Sequence, residues 1–416
     1  MATKTPKHQR NYFPNGRSQG PPLLVTFTRR SPGEGGRHSS LTCPLSLLPT
    51  GASAKVGVPR SLSLFCFMVF LLASCTLQPD FKKGILSEEF IYDSAEFPSC
   101  HAATIAETPA GLVVAFFGGS YERNPNVCIY VSRKEKGKWT VPEKAADGII
   151  NDTLRYPTWN PVLFQVPRGE LMLFYKVGRS PSTWRGMLIR SADHGKSWSK
   201  PEPLPEGIIG PVKNKPLLLS DGTLLCPSST EADKWRIHVE FAKDGGRTWI
   251  RSSPIHNGEI YNAIQPTFLT HKNGKLQLLC RSRNSMILEA WSADEGKTWS
   301  LLKESALPNN NSGIDAVSLA DGTHLLVYNH VKTPINAPKG YRTPLNVAVS
   351  KDGKQWYAAL VLEDSEIGQY SYPSVIQSAD GMVHIVYTWR REKIKYVKVD
   401  PRWLQKKKII NEKWPD

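Results

Sequence analysis

Residues 191–198 read SADHGKSW, and the phrase returns as AKDGGRTW at 242, SADEGKTW at 292 and SKDGKQW at 350, about 50 to 60 residues apart. A fifth, worn copy, SRKEKGKW at 132, has lost the aspartate. In S-x-D-x-G-x-x-W the Asp can accept bonds from loop amides, the Gly takes a left-handed position and the Trp packs back on the body. Such a loop is a folding device, and its recurrence at this period marks a repeat architecture.

A second periodicity supports the first. A glycine-closed turn followed by an apolar, strand-forming run appears as TPAGLVVAFF at 108, VPRGELMLFY at 166, LSDGTLLCPS at 219, HKNGKLQLLC at 271, LADGTHLLVY at 319 and SADGMVHIVY at 378. Glycines 111, 169, 222, 274, 322 and 381 are expected to supply the positive φ of a tight hairpin. Each period is then a small antiparallel sheet. One sheet cannot bury both faces alone, so neighbours must cover it, and six turns predict an all-β, six-bladed β-propeller.

The chain has 416 residues and a formal net charge of +16. Half of that excess lies in residues 1–75, which hold nine Lys or Arg and one acid, Glu34. The remainder is spread with no basic stripe, so no nucleic-acid partner is expected. Residues 1–60 are rich in Pro, Gly, Ser and Arg and read as disordered or as a mis-set N-terminal extension. Residues 61–75 contain the apolar run SLSLFCFMVFLLAS and end in LASC, which resembles a bacterial lipobox. That motif implies export, with any membrane contact through a lipid on Cys75; an organellar transit peptide or an uncleaved anchor are the alternatives. Residues 76–416 form the propeller domain, expected to be a monomer. Cys100, Cys128, Cys226 and Cys280 show no metal-ligand spacing, and Cys226 and Cys280 sit in apolar runs that suit buried free thiols. No metal and no cofactor is implied.

The repeated phrase resembles the Asp-box (BNR repeat) of the sialidase, or neuraminidase, superfamily, whose fold is a six-bladed β-propeller. The resemblance covers about residues 85–400. It implies three arginines gripping a substrate carboxylate, a Tyr nucleophile partnered by a Glu, and an Asp acid/base; a Tyr nucleophile is a known exception among glycosidases. Counted from the hairpin turns, the second arginine corresponds to Arg281 in LLCRSR, the third to Arg342 in RTPLNVAVS, and the nucleophile to Tyr372 in SYPSVIQSAD. The first arginine is replaced by His101 in CHAATIAETP, and the carboxylate that would brace it by Thr388. Gln265 stands where the Glu is expected, and the acid/base loop GGSYERNPNV offers Asn124 and Asn126 with Glu122 nearby. These departures resemble a divergent branch of sialidase-like proteins that carries the histidine.

By their own chemistry, two convergent guanidiniums match a carboxylate, so a sialic or uronic acid on an oligosaccharide or glycoconjugate is the expected ligand. His101 can shuttle a proton or bond a hydroxyl. Glu122 and Asp315 are the carboxylate candidates for acid/base work, and Asn160, Lys213 and Lys215, at strand starts, are candidates to line the mouth with Gln265. The expected function is exo-acting hydrolysis of a terminal acidic sugar. A His and a Tyr beside arginines also equip a polysaccharide lyase acting on uronates. A glycan-binding propeller without turnover is the third alternative.

Overall fold

The computed structural model describes residues 80–416, with 336, 338 and 339 excepted; the extension, the signal-like run and Cys75 lie outside the described residues. Six sheets follow one another along the chain, and each is an antiparallel blade. The innermost strands are Ser99–Thr108, Thr158–Gln165, Leu217–Leu218, Ala263–Thr270, Asp315–Ser318 and Tyr370–Gln377. The sixth blade takes its outermost strand from the other end of the chain: Ile85–Phe90 pairs with Lys393–Val399. That pairing closes the ring and covers an edge that would otherwise be open.

The packing follows from alternation along each strand. In Gly111–Gly119, Val113, Ala115 and Phe117 pack toward the second blade, while Val114 and Phe116 pack toward the sixth. Both faces of a blade are therefore apolar, and six buried clusters fill the six blade interfaces. Leu279, at the interface of the fourth and fifth blades, is fully buried; truncation to Ala would cost about 2–5 kcal/mol. Cys100, Cys128, Cys226 and Cys280 are buried free thiols.

Turn chemistry is as expected with one exception. Five of the six hairpin glycines have φ between 77° and 123°, but in the second blade Arg168, with φ 57°, takes the left-handed place and Gly169 does not. The Asp-boxes connect the third and fourth strands of their blades. In the box at 292, Asp294 accepts from Thr298 N (2.9 Å), Thr298 Oγ1 (2.6 Å) and Ser292 Oγ (2.8 Å), and Trp299 Nε1 donates to Gly296 O. Because strands alternate in direction, these boxes lie at the end of the propeller opposite the starts of the inner strands.

Candidate functional site

At the site end the inner strands are deformed. Register slips occur at Ala102, Asn160, Gln265 and Tyr372, in four different blades. These four residues have φ of 56°, 28°, 55° and 54°, and all are buried. Three of the bulges are X-Pro pairs, Asn160-Pro161, Gln265-Pro266 and Tyr372-Pro373; a proline has no amide to lose from the ladder, so it suits a bulge. A bulge re-aims a side chain. A left-handed non-glycine costs about 1–3 kcal/mol and persists only where its surroundings hold it.

Tyr372 stands at the centre. Arg281 Nη1 donates to its oxygen at 2.7 Å, and Gln265 Nε2 lies 3.4 Å from the same atom. Arg281 also donates through Nη1 to Gln265 Oε1 (3.2 Å) and through Nε to Asn311 Oδ1 (3.0 Å), which fixes its fork. The Arg342 guanidinium lies 5.4 Å from the Tyr372 ring centre and donates to Ser371 Oγ at 3.1 Å. Burial lowers the Arg342 pKa to about 10, with the Tyr372 charge opposing the fall, so it remains a cation at neutral pH.

His101 packs against Tyr372 with ring centres 4.2 Å apart. Its Nδ1 lies 3.0 Å from Thr388 Oγ1, an oxygen that also accepts from Ala102 N, while its buried Nε2 has no partner among the described residues. Burial first, then the charges of Arg391, Arg342, Arg281 and Lys213, push its pKa well below the ordinary histidine value. The ring is therefore neutral near pH 7. It can exchange a proton in passing but cannot supply the charge of an arginine.

The other expected residues divide. Asn160 lines the ring of bulges, and its side chain makes no hydrogen bond to the described residues. Glu122 is ion-paired with Arg391 at 2.5 Å. Asp315 corrects the sequence reading. It is fully buried and accepts from Thr267 Oγ1, Ala316 N and Val375 N, each at 2.9 Å, besides pairing with Lys215 at 2.9 Å. Every lone pair of that carboxylate is engaged, so Asp315, with Lys215, Thr267 and Val375, ties four blades together rather than facing a substrate. Lys213 is likewise interior: its ammonium donates to Ile314 O, Asn214 Oδ1 and Pro373 O. It grips the backbone of the Tyr372 bulge, and burial lowers its pKa to about 7.

Two residues that the sequence reading passed over complete the mouth. Glu231 ends the second strand of the third blade opposite Trp235, and Arg283 and Arg281 stack over that indole at 4.0 and 5.8 Å. Burial raises the Glu231 pKa, only partly countered by Arg281 and Arg283. Arg391 lies in the turn after Val383–Trp389. A signal for Glu231 existed: nine residues past three of the hairpin glycines, where second strands reach the site end, stand the charged residues Glu231, Arg283 and Arg390, the last of them next to Arg391.

Residues 110–385, about two thirds of the chain, match the BNR repeat-like domain. The chain belongs to the BNR repeat-like domain family. A sialidase of Bacteroides fragilis is 28% identical over 211 residues, covering 46% of this chain and 37% of that protein, so the chain spans little over a third of that relative's length. Among solved structures, a Dyadobacter fermentans protein of unknown function superposes with a TM-score of 0.62 at 18% identity, covering 76% of this chain and 99% of the other. The NanB sialidase of Streptococcus pneumoniae superposes at 0.59 and 13% identity, covering 76% and 71%. The fold of this BNR-repeat protein is thus the sialidase-like propeller that the repeats predict.

Proposed function

We propose that the protein is an exo-acting glycoside hydrolase that removes a terminal acidic sugar, a sialic or uronic acid, from a glycan. The observation that carries this reading is the Arg281–Tyr372 hydrogen bond within a mouth ringed by cations. Arg281 and Arg342 hold the carboxylate. Tyr372 attacks the anomeric carbon, and the charge that develops around its oxygen meets the Arg281 and Gln265 donors. Gln265 has no basic atom to take the phenol proton, so neutral His101, which packs on Tyr372 and whose Nε2 has no partner among the described residues, takes it by way of a water. Glu231, whose pKa burial raises, gives a proton in its protonated form to the departing glycosidic oxygen as the C–O bond breaks. In the second half Glu231 takes a proton from water, water attacks the same carbon, and Tyr372 is released with its oxygen recovering the proton held by His101. Two displacements leave the anomeric configuration unchanged.

Sialosides and uronate-capped oligosaccharides incubated with the purified protein test this. Released acidic sugar, lost in Tyr372→Phe by on the order of 10³-fold or more, is the expected result. Ultraviolet absorbance from a new conjugated double bond would replace hydrolysis with elimination. Saturable binding with no product of either kind would make the propeller a glycan-binding module.

A further inference from the structure

The sialidase-like pattern calls for three cations around the carboxylate, and His101 is neutral, so the mouth lacks one charge. Arg391 lies where it can supply it. The hairpin joining Val383–Trp389 to Lys393–Val399 turns through Arg390 and Arg391, with φ of 53° and 64°, closed by Glu392 N donating to Trp389 O at 3.0 Å. Trp389 pairs with Lys393, so the loop is Arg390–Glu392; two consecutive left-handed residues at the centre of the Trp389–Glu392 turn have the φ pattern of type I′, which favours Asn-Gly. Consecutive arginines there are strained, and strain of this kind gathers at functional sites.

The turn is tied down on three sides. Cys100 N, beside His101, donates to Arg391 O at 2.8 Å; Arg390 N donates to Gln369 O at 2.8 Å; Tyr92 Oη donates to Glu392 O at 3.2 Å. The Arg391 guanidinium bonds Glu122 in the loop where the acid/base is expected, and its charge is among those that lower the pKa of His101 and of Arg342. The Cys100 bond fixes the Arg391 backbone beside His101, the position from which the first arginine is missing.

We propose that Arg391, presented by this strained turn, is the third carboxylate-binding cation of the site, displacing the charge from the inner strand to the hairpin. Glu122 holds the guanidinium until a substrate carboxylate competes for it. The inference rests on the acidic-sugar reading above, and its test separates the two.

Calorimetric binding of N-acetylneuraminic acid and glucuronic acid is compared with that of their carboxyl-reduced counterparts, for the wild type and for Arg391→Gly, whose new residue suits the turn. The expected result is a loss of about 10- to 100-fold in affinity for the acidic sugar in the variant. Binding of the reduced sugar should not change, and Tm should be equal or higher. Arg391→Lys, which keeps charge but loses the fork, should lie between. Equal acid affinity in wild type and variant would overturn the proposal, as would a parallel loss for acidic and reduced sugars. A wild type that does not prefer the acid over its reduced counterpart would overturn the acidic-sugar reading itself, and Arg391's role with it.

Discussion

The two ends of the propeller use the same unusual backbone conformation for opposite purposes. At the Asp-box end, left-handed φ occurs in turns: Gly195, Gly246, Gly296 and Gly353 take values of 70° to 89°, and the non-glycines that share it, such as Asp244 and Glu295, are exposed and differ from copy to copy. At the site end it occurs in the Arg390–Arg391 turn and also within strands, at Ala102, Asn160, Gln265 and Tyr372, all four buried. Where the backbone alone matters, the sequence uses glycine or an indifferent surface residue. Where a side chain must be aimed at the axis, strain is kept and stabilised by neighbours, as Lys213 does for the Pro373 carbonyl.

If the site end carries chemistry, its carboxyl outside the brace should govern the pH profile. Glu231 acts in its protonated form, so turnover should fall as pH rises through its pKa, and burial moves that limb upward from the ordinary carboxylate range near about 4.3. Glu231→Gln should lower kcat by about 10²–10⁴-fold and remove the limb. An unchanged limb in that variant would return the proton to Glu122. Because His101 is held well below its ordinary value, no inflection near about 6.5 should come from it.

A paired exchange tests the contrast itself. Asn160→Gly at the site end relieves a left-handed Asn without removing a hydrogen bond to the protein, so stability should stay within about 1 kcal/mol while KM rises. Gly296→Ala at the other end forces a Cβ into φ 85° and to 2.7 Å from Leu225 Cδ2. It should lose about 1–3 kcal/mol in urea unfolding and keep its kinetic constants. Activity lost in Gly296→Ala but kept in Asn160→Gly would reverse the assignment of the two ends.

Legibility in the sequence divides along the same axis. Turn chemistry is local, so the hairpin glycines and the boxes yield the blade count, and Arg281, Arg342 and Tyr372 are found by counting from them. Ring closure by Ile85–Phe90 is a pairing across some 300 residues and leaves no local mark. Asp315 was misread because a polar residue at a strand start looks the same whether it faces a mouth or ties strands together; only its four partners distinguish the two. Glu231 and Arg391 sit at strand ends that share no repeated phrase. The arginine pair in WRREK nevertheless violates the turn preference of its own hairpin, a conflict of the kind that marks functional positions.

The smallest expected effect belongs to the end without chemistry. Hydrogen bonds from Thr298 hold Asp294 down to about 2. A carboxylate whose folded pKa lies below its unfolded value near about 3.9 adds stability that is complete above the unfolded value and is lost as pH falls through the folded one. Asp294 is partly exposed to solvent that screens it, so its net worth is about 1 kcal/mol. Asp294→Asn should therefore be less stable than the wild type by that amount in urea unfolding at pH 6, and the gap should narrow in acid, with kcat and KM unchanged throughout. A fall in kcat on losing this carboxylate would mean that the box end communicates with Tyr372 through the blade, and the separation of scaffold from chemistry would fail at the fourth blade, which also carries Gln265 and Arg281.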